Sequence, residues 1–515
     1  MLRNLQKSRI LSFLNSNPYP WKVLILDKHT QSIISPLLKS KELRDCGITA
    51  YFLFSSYRQP IANTPALYFV SNISEISKDV LNSLYFEYNI HCVNSIQRKD
   101  LESLALTLSK KCVANQITQV YDQYVDFISL QDDLYTLDIP DSYYLKESRE
   151  IWKSIVSSML SIFVTLDSVP YIFSTDETTN TICKMIKDKM ANNKLFDNKS
   201  HKRSLLIMVN RDYDVFTPIQ HVWSYSALMD DLLALENNKI VINNKTYDLD
   251  PSDPLWKDNR NEYFPLVVEK VEAALLEYKK EMALRSIDNK SDKKAITDLL
   301  DKTPELAKKN ESVNSHITIC LEMVDIIKKR NIDEFYRIEK TGYSDEELMT
   351  VSEKGTDQDI LRLALSIINT KDGNVAEAML KKRNIKTNVT EFFKKFRTKT
   401  TVEKSKFFNM VSSIMGNVQK FLPVKEKSPL SDLVENIWNN SKSDVFKMFD
   451  PLNVDTFRKE NVSSIVVCMV GGATYSELKT LKNLEEKIGI PIIYGGTEIL
   501  NSKKFLDQVE KLMRK

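Results

Sequence analysis

Four short apolar runs near the start of the chain set the tightest limit on its fold. Val23–Leu26, Ile48–Phe54, Ala66–Val70 and Tyr88–Val93 are each of strand length, and helical stretches such as Ser32–Lys41 and Lys78–Tyr85 lie between them. Strands that alternate with helices pair in parallel, because each helix carries the chain back across one face of the sheet. The expected fold class is therefore α/β, opening with a doubly wound parallel sheet. A long helical stretch containing YDQYVDFISLQDDL (Tyr121 to Leu134) is expected next. Further strand signals at Ser204–Asn210, Ile465–Val470 and Ile492–Tyr494 flank a region, Tyr263 to Asn440, that reads almost wholly helical. This pattern predicts a first α/β domain at 1–130 and a second, split in sequence, at 131–240 and 425–515. A mostly helical third domain at 241–424 is inserted into the second.

The segment before the first strand, Met1 to Asn17, carries Arg3, Lys7 and Arg9, no acid, and apolar Leu2, Leu5, Ile10, Leu11 and Leu14. A transit peptide has this character. The strand that follows at once favours an opening helix of the first domain.

Charge and cysteine content remove several function classes. The 72 basic and 69 acidic residues are interleaved, with no basic stripe to track a nucleic acid. The six cysteines stand far apart without a CxxC, which gives neither a zinc spacing nor a disulfide framework and fits a reducing compartment. The apolar run Ile465–Val470 is too short to cross a bilayer.

Two turns invite a chemical reading. In VGGATYSEL a strand enters Gly471-Gly472 and a helix follows, a place where α/β proteins hold phosphate. No GxGxxG or GxxxxGK[ST] accompanies it, and Thr474 with Glu477 forms a T-x-x-E capping box that would use the free N–H groups itself. A nucleotide-dependent enzyme using this turn is the alternative function. In MVNRDYDVFTP, Asp212 and Asp214 follow a strand and could ligate a metal, but Arg211 could equally neutralise one of them. None of the histidines stands at metal or triad spacing from another, so no catalytic residue is nominated.

Two other features read as binding surfaces. Leu101, Leu104, Ala105 and Leu108 share one helical face, and Ile117, Val120, Tyr121 and Tyr124 share the next. Such a pair can leave an apolar groove for a partner's anchor, and the same periodicity also describes ordinary core packing. In Ser405–Leu422 the residues Phe407, Phe408, Val411, Ile414, Met415, Val418 and Leu422 form one helical stripe opposite a weakly charged face. That suits adsorption to loosely packed lipid or a cover over the protein's own groove.

The sequence also carries a family resemblance. LRNLQKSRILSFLNSN leading into WKVLILD resembles the start of the SM (Sec/Munc) family, the syntaxin-binding proteins of vesicle fusion. RQPIANTPALYFV and QVYDQYVDFISLQDDLYTL look like its Sly branch, which serves endoplasmic reticulum–Golgi traffic. The likeness runs on in family order through SLLIMVNRDYDVFTPIQHVWSYSALMDDLL, YDLDPSDPLW, GTDQDILRLAL, VVCMVGGATYSEL and YGGTEILNSKKF.

The resemblance implies a three-domain arch without catalysis or cofactor, and makes the VGG and RDYD blocks structural signatures. It implies that the first domain binds the N-terminal peptide of a syntaxin-type Qa-SNARE, with Leu101, Leu104 and Ala105 as one wall and Ile117 and Val120 as the other. A helical hairpin of the third domain would engage other SNAREs of the ER–Golgi complex. The segment before Pro304 is shorter than usual, which predicts a reduced hairpin, with Ile317, Leu321 and Val324 as the groove face behind it. The amphipathic segment matches the Sly regulatory loop, so Phe407, Phe408, Ile414 and Met415 are expected to meet curved membrane. A cytoplasmic monomer, peripherally associated with endoplasmic reticulum and Golgi membranes, follows from the same likeness.

Overall fold

The structure, a computed structural model, describes residues 1–61, 63–197, 203–288, 293–368, 373–396, 410–412, 419–421, 427–439, 446–453 and 456–514, with only the backbone at 283–306, 410–412 and 419–421. The chain divides into two compact units. One comprises Met1–Tyr213, Val434–Ala473 and Leu484–Ile499; the other comprises Asp214–Leu433, Thr474–Asn483 and Leu500–Lys515. The division into three domains expected from the sequence is finer than this one.

The first unit opens with the helix Leu2–Leu14. Its buried Gln6 donates to the carbonyls of Val125 (3.2 Å) and Phe127 (2.5 Å), so this segment is part of the folded core. Five parallel strands follow: β1 (Lys22–Leu26), β2 (Ile48–Leu53), β3 (Ala66–Val70), β4 (Tyr88–Cys92) and β5 (Ile117–Asp122). Their order is β2-β1-β3-β4-β5. The inner strands β1, β3 and β4 are buried along their whole length, which is why they read as continuous apolar runs rather than alternating ones. The edge strands β2 and β5 are only partly buried.

The second sheet draws on both ends of the sequence. Its strands are β6 (Ile128–Ser129), β7 (Leu134–Thr136), β8 (Pro170–Ser174) and β9 (Arg203–Asn210). After two hairpins of the other unit, β10–β11 (Lys239–Ile242, Lys245–Asp248) and β12–β13 (Met410–Ser412, Gln419–Phe421), it resumes with β14 (Lys447–Phe449), β15 (Val462–Val470) and β16 (Ile492–Gly496). The order β14-β8-β9-β15-β16-β7-β6 has a parallel centre and an antiparallel strand at each edge. The helix Arg149–Leu166 fills the core on one face, with Ile155, Met159, Ile162 and Phe163 against Leu206, Val466 and Cys468. Arg203 fastens the entry of β9 by paired bonds to Asp450 (2.7 Å each) and by bonds to the carbonyls of Val169 and Pro170.

Tyr121–Leu134 is not the helix its spacing predicts. β5 runs through Tyr121, Tyr124 adopts a left-handed φ of 51°, and Leu134 begins β7. Pairing of Val120 with Ile90 and of Leu134 with Tyr494 outweighs the local period, as long-range strand contacts commonly do. The long helix comes later, at Arg149–Leu166.

The second unit is mostly helical, as expected. The helices Phe264–Asp288 (25 residues) and Lys293–Arg330 (38 residues) pack against each other, spanning roughly 37 and 57 Å at 1.5 Å per residue. The longer one ends where Asn331 turns left-handed at φ 54°. Behind it lies a buried ionic cluster. Arg362 bonds Asp231 and the carbonyls of Ile219 and Gln220, while Asp359 accepts from Arg330 and faces His221, which is also paired with Glu339. Burial pushes the Asp359 carboxyl up, but the hydrogen bonds from His221 and Arg330 outweigh it and hold the group far below the usual carboxylate range.

Candidate peptide-binding site

The expected residues Ile117 and Val120 stand on either side of an irregularity in β5. The register runs Tyr88↔Ile117, Asn89↔Gln119, Ile90↔Val120, so Thr118 is an extra residue with no partner in β4. In a regular strand, positions three apart point to opposite faces. The bulge cancels that rule and puts Ile117 and Val120 on the same face as Tyr88 and Ile90. Thr118 is tied off by its hydroxyl, 3.0 Å from both Glu87 Oε1 and Asn89 Oδ1. Ile117 and Val120 are half-buried and pack against the cluster that contains Tyr88, Ile90, Leu104 and Leu108.

The helix Arg98–Ser109 carries the chain from β4 back to the start of β5. As the crossover of a parallel pair it runs against the strand direction. Leu104 and Leu108 face inward at 5% and 1% exposure. Leu101 is 41% exposed and Ala105 is also open to solvent. Of the five expected residues, Leu104, Ile117 and Val120 pack in one cluster, the last two from a strand rather than a second helix, while Leu101 and Ala105 are open to solvent on the helix. The spacing gave no warning of exposed Leu106, which lies off the Leu101–Leu108 face.

The enzyme-like features resolve into structure. Gly471 and Gly472 are buried, with φ of 93° and 105°. Gly471 N–H donates to Thr497 Oγ1, Gly472 N–H to the Met469 carbonyl and Ala473 N–H to the Glu498 carbonyl. The N–H groups of Gly471, Gly472 and Ala473 are thus all engaged within the protein, and Thr474 Oγ1 accepts from Glu477 N–H as the capping box requires. Asp212 is bound by Lys146 (2.5 Å) and Tyr143 Oη (2.7 Å), and Asp214 accepts from Phe216 and Thr217. A cleft of about 410 Å³ opens where the strand order reverses between β1 and β3, the usual ligand position in such sheets. Its Asp27 is consumed by Thr30 and Ser71, and its His29 by Asp126 at 2.6 Å. No group of three metal-ligating side chains occurs among the described residues.

Comparison with known proteins decides the family. A Sec1 family model matches residues 22–508. The chain belongs to the Sec1 family. Within it, the chain is 52% identical to the SEC1 family transport protein SLY1 of Encephalitozoon cuniculi, over 100% of this chain and 99% of that one. It is 29% identical to the human Sec1 family domain-containing protein 1, covering 97% and 94%. A solved structure of Sly1p in complex with an N-terminal peptide of Sed5p superposes with a TM-score of 0.85 at 25% identity, covering 99% and 98%. The fold is also that of Vps45 in complex with the Qa SNARE Tlg2, with a TM-score of 0.84 at 16% identity and coverage of 100% and 98%. These place the chain in the Sly branch of the Sec1 (SM) family, with the split α/β and helical fold the sequence implied.

Other Sec1-family features are only partly met. The human alignment spans 615 positions against 515 residues here, so segments of the human protein have no counterpart in this chain. The two long helices Phe264–Asp288 and Lys293–Arg330 lie in the stretch where the hairpin is expected. On the longer one Leu321 is 52% exposed, Ile317 half-buried and Val324 only 7% exposed, so Val324 serves packing rather than an open groove. Phe407, Phe408, Ile414 and Met415 lie outside the described residues. Within the same segment Met410–Ser412 pairs with Gln419–Phe421 as antiparallel strands, instead of continuing one helix. No helix among the described residues is long and apolar enough to cross a membrane.

Proposed function

We propose that the groove between the helix Arg98–Ser109 and β5 holds the N-terminal peptide of a syntaxin-type Qa-SNARE. The chain acts as an SM-type regulator of vesicle fusion that promotes SNARE complex assembly in ER–Golgi transport, without catalysis or cofactor. It works as a cytoplasmic protein peripherally associated with endoplasmic reticulum and Golgi membranes. The division into domains at 1–130, 131–240 with 425–515, and 241–424 belongs to the same proposal. So do the hairpin face at Ile317 and Leu321 for other SNAREs, with Val324 packed inside rather than on that face, and membrane contact by Phe407, Phe408, Ile414 and Met415.

The observation that supports the reading is the bulge that turns Ile117 and Val120 to the sheet face where Leu104 packs, with Leu101 and Ala105 exposed on the same helix; in the proposed groove they are floor and lip. It is an apolar strip on a rigid scaffold, which suits an anchored peptide. Calorimetry with a synthetic syntaxin N-terminal peptide tests it: Leu101→Lys should weaken binding by about tenfold or more. Unchanged affinity in the folded variant would remove the groove from the account.

A further inference from the structure

The near balance of charge over the whole chain conceals one local excess. Of the 26 residues at 381–406, ten are lysine or arginine and two are glutamate, so this stretch alone outweighs the net +3 of the entire chain. Residues 381–396 lie in the helical unit, at the end of the helix Gly373–Lys382 and around the short helix Val389–Phe393.

The fold accounts for part of this charge. Arg383 is spent on the carbonyls of Ser352, Lys354 and Gly355 at 2.9–3.0 Å, and Lys382 on Glu353 at 2.7 Å. Lysines also suit the C-terminal end of a helix, where the peptide dipoles leave partial negative charge. Lys394 is shared between Glu377 (3.0 Å) and Glu391 (3.2 Å). Lys381, Lys386 and Lys395 are exposed, and none is paired with a carboxylate among the described residues.

The patch is held from beneath. Phe392 and Phe393 are buried at 8% and 0% exposure, and the bond from Lys394 to Glu377 ties the second helix to the first. Lys381 stands one turn beyond Glu377 on that first helix, so the basic ends of the two helices converge. Cations presented on a fixed backbone attract an anionic surface with little loss of order.

The sequence around the patch says which anionic surface it suits. The chain goes on from Lys395 through Arg397, Lys399, Lys404 and Lys406, with Glu403 the one acid, into apolar Phe407 and Phe408. Cations leading into apolar side chains are complementary to charge with hydrocarbon beneath it, which is the make-up of an anionic bilayer leaflet. A nucleic acid or an acidic polypeptide offers the charge without the hydrocarbon.

We infer that Lys381, Lys386 and Lys395 dock the helical unit onto anionic phospholipid headgroups. This rests on the membrane reading of the segment at Phe407 and Phe408, and adds which lipids are selected and by which side chains.

Co-flotation of the full chain with small vesicles of phosphatidylcholine, alone or with about 30% phosphatidylserine, tests it. The anionic vesicles should hold the chain about a hundredfold tighter, roughly fivefold for each of the three lysines. Raising salt to about 0.5 M should remove most of that preference, because screening shortens the reach of exposed charges. Lys381→Gln/Lys386→Gln/Lys395→Gln, with an unchanged thermal transition, should lose nearly all of it, and Lys381→Arg/Lys386→Arg/Lys395→Arg should keep it. Phe407→Ser/Phe408→Ser should weaken binding to both vesicles together and leave their ratio unchanged. Equal binding of the unmodified chain to the two vesicles, or a triple glutamine variant with the full preference, would overturn the lysine patch. Neutral vesicles released by Phe407→Ser/Phe408→Ser would then leave the apolar contact standing. A chain that binds neither vesicle would overturn both readings, and its retention on polyglutamate or single-stranded DNA would show that the patch takes another polyanion.

Discussion

Leu104→Ala removes a side chain that is 5% exposed inside the first sheet's core, whereas Leu101→Ala trims one that is 41% exposed three residues earlier on the same helix. Truncating a packed leucine costs about 2–5 kcal/mol, because the lost transfer free energy is joined by that of the cavity left behind. Against a total stability of about 5–15 kcal/mol this is a large fraction. The exposed leucine should cost less than about 1 kcal/mol. Binding should show the reverse ranking at 20 °C, where both variants remain mostly folded. There Leu101→Lys forfeits about 1.5–3 kcal/mol of apolar contact, a ten- to hundredfold weaker peptide complex. Urea unfolding followed by fluorescence gives the first comparison and calorimetry with the syntaxin N-terminal peptide gives the second. If Leu101→Ala unfolds as readily as Leu104→Ala, or if Leu101→Lys binds the peptide normally, the division into core and lip is wrong.

Arg203→Ala leaves Asp450 buried without its guanidinium partner and should cost about 3–5 kcal/mol in chemical denaturation; a loss below about 1 kcal/mol would show that the pair does not fasten β9. Asp359, with its pKa depressed, contributes stability that is present above the unfolded value near 4 and is lost as pH falls through the folded one. His221 is pulled down by burial and by Arg362, but Glu339 and Asp359 raise it overall, so its contribution is complete below about pH 6.5 and fades as pH rises through the folded value. Asp359→Asn should flatten the acid limb below about pH 4, and a limb of unchanged slope would locate acid sensitivity elsewhere. Gly471→Ala places a Cβ 2.9 Å from the Tyr143 ring at φ 93° and should lower stability by more than about 1 kcal/mol. Millimolar ATP or GTP should leave the unfolding midpoint of the unmodified chain where it was, and a clear upward shift would revive the nucleotide reading.

The inner strands were legible because burial on both faces writes them as unbroken apolar runs: Ala66–Val70 is found as predicted, and β1 and β4 within one residue at each end, as is the edge strand β2. β5 was not legible as a strand. Ile117 and Val120 are three apart, a helical interval, and only the extra residue Thr118 reconciles that interval with one face of a sheet. No local pattern announces a bulge, so the interval reads as one face of a helix where the chain forms a strand. Leu104 and Leu101 look alike in sequence, and what separates them is the direction in which the helix leans on Tyr88 and Ile90. Arg203–Asp450 and Arg362–Asp231 join residues far apart in the chain, so their partners could be named only from the fold.

Hydrogen exchange of the whole chain with and without the syntaxin N-terminal peptide tests the central claim most directly, because it reports where the peptide sits as well as whether it binds. Protection is expected at Leu101–Leu108 and along Ile117–Asp122, with little change in the unit built around Asp214–Leu433. A peptide that binds while those two segments exchange as before would contradict the account.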